Sequence, residues 1–330
     1  MRKIALSAAA LALVAVAAVG WRAHSGATTT TTVSNPSKVT TSTVAPKKLD
    51  VPVRVCVAHS ASSLVCSTWQ PRDLWSSAVP DVYTTTFAPV AALPTQLAYA
   101  AWIRTTATDF ALYPGYKGPG VTTLNRGPME VPAQGRARLL ATMNSGFYEA
   151  DGAAGFYVNH TLYFPMIVGL ATVVRYTNGT VNVITWTGGV RPGPTIQMAR
   201  QNLPLLVSNG APTPRTANNA LWGLTLHGLP AVWRTALGIT ASGDLVYAAA
   251  PAQTAQSMAH VMVLLHCVRA MQLDINPEWP IFVTYAAPGA QGPSLFVPNP
   301  NQIPGRFLYS STKDFFAVFK AARPGEAQPW

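Results

Sequence analysis

Carboxylates are the scarcest chemistry in this chain: 12 Asp and Glu stand against 23 Lys and Arg in 330 residues, for a net charge of +11. Charged residues make up 11% and hydrophobic ones 49%, a composition that builds a large core under a thinly charged surface. An excess of basic groups favours anionic partners such as phosphorylated sugars, wall polymers or lipid surfaces. Nucleic acid is disfavoured, because no Lys/Arg cluster, aromatic RNA-binding motif or zinc-finger spacing occurs. No Gly-rich phosphate loop opens a helix, and no Gly-x-Ser-x-Gly elbow follows a strand. Nucleotide-binding folds and the usual α/β-hydrolase are set aside on those grounds. Three cysteines and six scattered histidines show no metal-ligand spacing, so neither metal nor cofactor is expected.

Arg2 and Lys3 precede an uncharged Ala/Val/Leu run over 4–20, the layout of an export signal. At about 1.5 Å per residue the run falls slightly short of a roughly 30 Å hydrocarbon core. Trp21 and Arg22 occupy an interfacial-anchor position, whereas the small residues in 23–27 suit a cleavage enzyme. Residues 1–24 are thus read as a signal peptide or an N-terminal membrane anchor. Either places the remainder outside the cytoplasm, secreted or held at the membrane. The Thr/Ser/Pro-rich stretch 25–49 cannot bury enough apolar surface to order itself and reads as a disordered linker. Residues 50–96 form an N-terminal extension in which export favours a Cys56–Cys66 disulfide. Cys267 reads as a small core hydrophobe.

A main domain is expected over 97–320, with a C-terminal tail over 321–330. Its segments are short apolar runs separated by Gly, Asn and Asp turns: 97–103, 139–143, 155–158 with 162–164, 171–176 with 181–186, 205–207, and 232–239 with 245–248. Asn178-Gly179 is the strongest hairpin turn among them. Met258, Val261, Met262, Leu265 and Val268 recur at helical spacing, predicting a helix over 254–269 that feeds a strand over 270–273. The fold class is α+β: a mixed or antiparallel sheet core with short Gly-turn hairpins and a few flanking helices.

Three places attract chemistry. Asn144-Ser145-Gly146-Phe147 follows a buried strand, and its turn either exposes the Asn144 amide or is a plain Asx turn. Arg234 enters an apolar strand and needs an anionic or carbonyl partner, either a structural ion pair or a substrate anion. Asp274 ends a buried strand and begins a Pro-bearing loop, as a turn cap or as a presented catalytic group.

In this order, Asn144-Ser145-Gly146-Phe147, Arg234-Thr235-Ala236-Leu237-Gly238 and Leu273-Asp274 after a helix resemble the phosphodiester glycosidase family. The likeness covers about residues 97–320. Segments 200–206 and 306–319 resemble those of exported actinobacterial members. The resemblance implies hydrolysis of the glycosidic bond of a sugar-1-phosphodiester, releasing sugar and a phosphate monoester. It implies Asp274, Glu278 and Asn144 as catalytic candidates, and Arg234, Thr235 and Gly146 as substrate-binding ones. The chain departs from the common Asp-Gly-Gly-Gly-Ser at Asp274-Ile275-Asn276-Pro277-Glu278-Trp279. There Ile275 and Pro277 fill space that glycines leave open, and Glu278 adds a carboxylate. The expected partner is a phosphorylated sugar or cell-envelope glycan. The competing reading is a non-catalytic envelope protein that binds anionic glycan or wall polymer through its basic surface.

Overall fold

Why these runs become strands is visible in their turns. The computed structural model describes residues 51–330 except 61, 76–78, 119, 121–124, 153, 226–227 and 330. The signal or anchor expected over 1–24 and the linker over 25–49 lie outside the described residues. Asn159 and His160 take φ of 47° and 64°, the left-handed geometry that closes the hairpin between Phe156–Val158 and Thr161–Phe164. Gly179, at φ 88°, does the same between Ala171–Tyr176 and Val181–Thr185. Residues Cys56 and Cys66 face each other across an outlying two-stranded ribbon and are joined by a disulfide.

Three larger sheets carry the fold, all built from antiparallel pairs. An eight-stranded sheet runs in the order Ala211–Pro212, Leu205–Ser208, Cys267–Gln272, Val232–Thr240, Leu245–Gln253, Ala98–Ile103, Val82–Phe87, Gln70–Pro71. A five-stranded sheet orders Gln291–Leu295, Phe282–Ala287, Leu139–Asn144, Phe315–Lys320 and Thr108–Tyr113. The other five-stranded sheet holds the two hairpins described above, joined through Ile196–Gln201. Inward residues from all three meet in one core that includes Phe110, Met143, Phe156, Val173, Ile239, Tyr247, Leu273 and Phe316. Each such side chain contributes about 1.5–3 kcal/mol by leaving water. The α+β class with an antiparallel core is borne out, and helices are few: Ala133–Arg136 and Ala255–Leu264 among the described residues.

Two details differ from the sequence reading. The helix expected over 254–269 stops at Leu264. It starts on a capping box, with Thr254 and Ser257 each accepting the other's backbone N–H. His266 then turns left-handed at φ 60°, and the chain enters the strand Cys267–Gln272. Val268 fits a helical period but belongs to that strand. Further upstream, Val82–Phe87 pairs along its length with Ala98–Ile103, so the eight-stranded sheet runs across the boundary placed at 96/97. Among the described residues no helix is long and apolar enough to cross a membrane.

Candidate active site

The strand Leu139–Asn144 ends beside the strands Val232–Thr240 and Cys267–Gln272, and Asn144 ties their ends together. Its Nδ2 donates to Thr235 Oγ1 at 3.0 Å and to the Ser145 carbonyl at 2.9 Å. Its Oδ1 accepts from the Tyr247 hydroxyl at 2.8 Å and from Ile281 N–H at 3.2 Å. The amide is thus fully occupied by protein groups. Thr235 sends both its N–H and its hydroxyl to the Asp274 carbonyl, at 2.9 and 2.8 Å. Asn144 and Thr235 therefore fix the backbone from which the Asp274 side chain departs.

Asp274 is 2% exposed, yet it lines a cavity of about 340 Å³ with Phe147, Asp151, Gly223, Leu224 and Ile275. One carboxylate oxygen accepts Asn276 N–H at 2.9 Å; the other is paired with the Lys313 ammonium. Burial pushes the Asp274 carboxyl above the ordinary aspartate value, against the opposing pull of Lys313 and of the Asn276 and Ile275 N–H groups. Lys313 is itself caged, its Nζ 4.4 Å from the ring centre of Tyr148 and 4.9 Å from that of Trp279. Its neighbour Asp314 forms a second buried ion pair with Arg200 at 2.8 Å, and Arg200 also holds the Phe147 carbonyl. Burial, with Asp314 and Asp274 nearby, raises the Tyr148 phenol, which stays protonated and able to donate.

A larger cavity of about 830 Å³ adjoins the first, since Ala150 and Asp151 line both. Tyr148 and Trp279 form part of its wall, together with Lys117, Arg126, Tyr116 and Glu149. Glu149 Oε2 is buried and has no hydrogen-bond partner among the described residues. The combined cleft is lined by three carboxylates, Asp274, Glu149 and Asp151, by two cations, Lys117 and Arg126, and by several aromatic faces. Those are suitable groups for a sugar bearing a phosphate.

Arg234 is placed elsewhere. It neighbours Thr235 in a strand, so the two side chains leave opposite faces of the sheet. Its guanidinium is fully buried, and burial lowers it to about 10. It donates to the Gln253 carbonyl at 2.9 Å and to Asn219 Oδ1 at 3.0 Å, and also to Gln272 Oε1 and the Trp222 carbonyl. Of the two partners the sequence left open, the structure supplies neutral oxygens. The expected direct grip on substrate phosphate is therefore corrected: Arg234 lies behind the Trp222–Gly223 wall of the smaller cavity and braces it.

Glu278 is exposed, and its carboxylate makes no hydrogen bond or ion pair with Asp274 or Lys313 among the described residues. Its backbone N–H and carbonyl are used by Asn276 and Gln302 to shape the loop. Gly146 sits in close approach to Asn202, since a Cβ there would lie 3.1 Å from Asn202 Cγ and the amide would have to give by a few tenths of an ångström. Asn202 in turn donates to the Gln272 and Leu273 carbonyls at 2.7 and 2.9 Å, clamping the strand end just before Asp274. Ile275 packs on Phe147 over Gly223, whose φ of 94° and 2.9 Å virtual Cβ contact with Phe147 leave no room for a side chain.

Residues 137–274 match the phosphodiester glycosidase family, and the match ends on Asp274. The matched segment covers less than half of the chain. It contains Asn144, Gly146, Arg234, Thr235 and Asp274 but neither Glu278 nor Lys313. The match supports a glycosidase-type function. No curated protein matches the chain. Among solved structures, the zebrafish N-acetylglucosamine-1-phosphodiester alpha-N-acetylglucosaminidase catalytic domain, auto-inhibited by its pro-peptide, is similar at 15% identity and a TM-score of 0.48, over 78% of this chain and 89% of that one. A hypothetical protein from Synechocystis is similar at 12% identity and 0.42, over 73% and 62% of the two chains. An exported protein from Burkholderia pseudomallei gives 12% and 0.38, over 68% and 74%.

Lys313, Tyr148 and Asn202 were not singled out from the sequence. One signal was present: Lys313-Asp314, two opposite charges in a chain poor in acids, stand directly before the buried strand Phe315–Lys320. A charge pair at the mouth of a core strand needs partners, and here each member has one.

Proposed function

We propose that this chain is an exported hydrolase that cleaves the C1–O bond of a sugar-1-phosphodiester, giving free sugar and a phosphate monoester. The observation that carries this reading is the buried Asp274–Lys313 pair, with Asp274 lining the smaller cavity and Lys313 held against Tyr148 and Trp279, which line the larger one. The sugar occupies the smaller cavity against Asp274, Phe147 and Ile275. The phosphate and aglycone lie in the larger one, near Tyr148, Trp279, Lys117 and Arg126.

The leaving monoester has a conjugate-acid pKa of about 6, so it departs without strong protonation. Water adds its oxygen to C1, the C1–O electron pair leaves with the phosphate, and the water's proton passes to the site or to solvent. Asp274 supplies negative charge beside the oxocarbenium-like centre, and Lys313 offsets charge gathering on the phosphate. Asn144, Thr235 and Asn202 hold the Asp274 backbone in place. Export is supported by the disulfide between Cys56 and Cys66 on an outlying ribbon.

The test is product analysis after incubation with a panel of sugar-1-phosphodiesters, wall-polymer fragments included. Equal release of free sugar and phosphate monoester is expected. Binding of these compounds with no release would favour the non-catalytic envelope-binding reading.

A further inference from the structure

Two cations share the ring of Trp279. Lys313 Nζ lies 4.9 Å from its centre and the Arg306 guanidinium carbon 5.2 Å. Lys313 is paired with Asp274, and nearby Arg200 with Asp314. Arg306 differs: its partly buried guanidinium makes no hydrogen bond or ion pair among the described residues. Burial lowers it below the ordinary arginine value, and the groups opposing that shift are the phenols of Tyr148 and Tyr116, with no carboxylate among them. Both supports of this stack are fixed. The turn Arg306–Leu308 is pinned by Phe307, which is buried and stacks on Phe315 at 4.2 Å. The Trp279 loop is held by Asn299, whose Nδ2 donates to the Pro277 and Pro280 carbonyls at 3.1 and 3.0 Å. The face of Trp279 offsets part of the cost of desolvating Arg306, but it leaves the N–H donors without a protein acceptor. A bound anion would offset the rest.

The neighbours of Arg306 are donors as well. Tyr148 and Tyr116 both line the larger cavity. Thr312 donates its hydroxyl to the Tyr116 oxygen at 3.2 Å, which leaves the Tyr116 proton for another acceptor. The Tyr148 phenol stays protonated and has no hydrogen-bond partner among the described residues. The carboxylates of this cavity stand on another part of its wall: Glu149 lies against Gly120, Asp151 reaches the smaller cavity, and neither pairs with Arg306. A guanidinium fork flanked by two phenol O–H groups, with no acceptor among them, suits an anion with several oxygens. In the hydrolysis proposed above, that anion is the phosphodiester. We infer that Arg306, with Tyr148 and Tyr116, holds the non-bridging phosphate oxygens of the substrate, a grip that Arg234 is too deeply enclosed to supply. The choice of ligand rests on the proposed hydrolysis; the anion site rests on the surroundings of Arg306.

The experiment titrates the full chain into dimethyl phosphate, a phosphodiester monoanion, and follows its phosphorus-NMR line width, with neutral trimethyl phosphate as the control for shape. The dimethyl phosphate line should broaden saturably, and the trimethyl phosphate line should not. Arg306→Gln should weaken the binding by about tenfold or more, and Arg306→Lys should recover only part of it, because an ammonium keeps the charge but not the fork. Glu149→Gln, which removes a carboxylate from the same cavity, should not weaken it. A purely structural Arg306, packed on Trp279, would change stability without separating the charged phosphate from the neutral one. The inference is overturned by equal binding of the two phosphates, by unchanged binding in Arg306→Gln, or by a loss in Lys117→Gln or Arg126→Gln with none in Arg306→Gln. If urea unfolding shows that Arg306→Gln does not fold, Arg306→Lys decides alone, and wild-type affinity there overturns the inference. Binding that depends on Arg306 in a chain that cleaves no sugar-1-phosphodiester refutes the proposed hydrolysis alone. A hydrolase whose KM and dimethyl phosphate binding are both unmoved in Arg306→Gln refutes the anion site alone.

Discussion

Removing Lys313 while keeping Asp274 should expose the energetics of the site most clearly. In Lys313→Met the long apolar stem is retained, but the buried carboxylate keeps only backbone N–H support. Breaking a buried pair by deleting one partner costs about 3–5 kcal/mol, because the remaining charge is desolvated without compensation. The figure applies with little discount here, since both side chains are buried to 6% exposure or less. We expect about 3 kcal/mol lost in urea unfolding at pH 7. The loss should shrink as pH falls. Without Lys313 the folded-state pKa of Asp274 rises further above the unfolded value of about 3.9, so between the two values the folded chain binds more protons. Stability contributed by that proton is present at low pH and lost as pH rises through the folded pKa. The variant should therefore recover toward wild type as pH falls from 7 through its raised folded pKa, and adding Asp274→Asn should restore much of the loss at pH 7. A deficit under about 1 kcal/mol with no pH dependence would refute the buried-pair reasoning.

Arg234→Ala should unfold at markedly lower urea, by about 3 kcal/mol, since four oxygens in a buried site each lose a donor, although the Trp222 carbonyl and Asn219 Oδ1 keep a second one, and Arg234→Lys should recover little because an ammonium cannot reproduce the guanidinium fork. Gly223→Ala should cost about 1–2 kcal/mol and lower kcat, because the added Cβ collides with Phe147 at a φ of 94°; wild-type turnover and stability would contradict the packing described for the Phe147–Ile275 wall. In a pH–rate profile, kcat/KM should fall on the acid side through a pKa above about 3.9, since burial raises the carboxyl that must be ionised. An acid limb at or below the ordinary aspartate value would oppose that assignment.

Much of the sheet was legible because turn chemistry is local. Asn159-His160 and Asn178-Gly179 marked hairpins that the structure closes with left-handed residues. Asp274 at a strand tip was legible for the same reason. Its partner was not: Lys313 lies 39 residues on, brought over by a strand whose pairing no short-range pattern reveals. The helix was overrun because Val268 satisfies a helical period while His266 carries no conventional stop signal. Arg234 was misjudged for want of parity. Adjacent strand residues face opposite ways, so Thr235 at the site required Arg234 behind it. The departure over 275–279 has a physical account, with Ile275 forming the wall and Trp279 the lysine cage, whereas the exposed Glu278 carboxylate has no role that the structure explains.

The central claim is that Asp274 carries the cleavage of a sugar-1-phosphodiester. Its most direct test compares purified wild type with Asp274→Asn on such a substrate, measuring free sugar and phosphate monoester together, with urea unfolding as the check that the variant is folded. The account predicts equimolar products from wild type and a loss of at least about a thousandfold in the folded variant. Undiminished turnover by folded Asp274→Asn would contradict it.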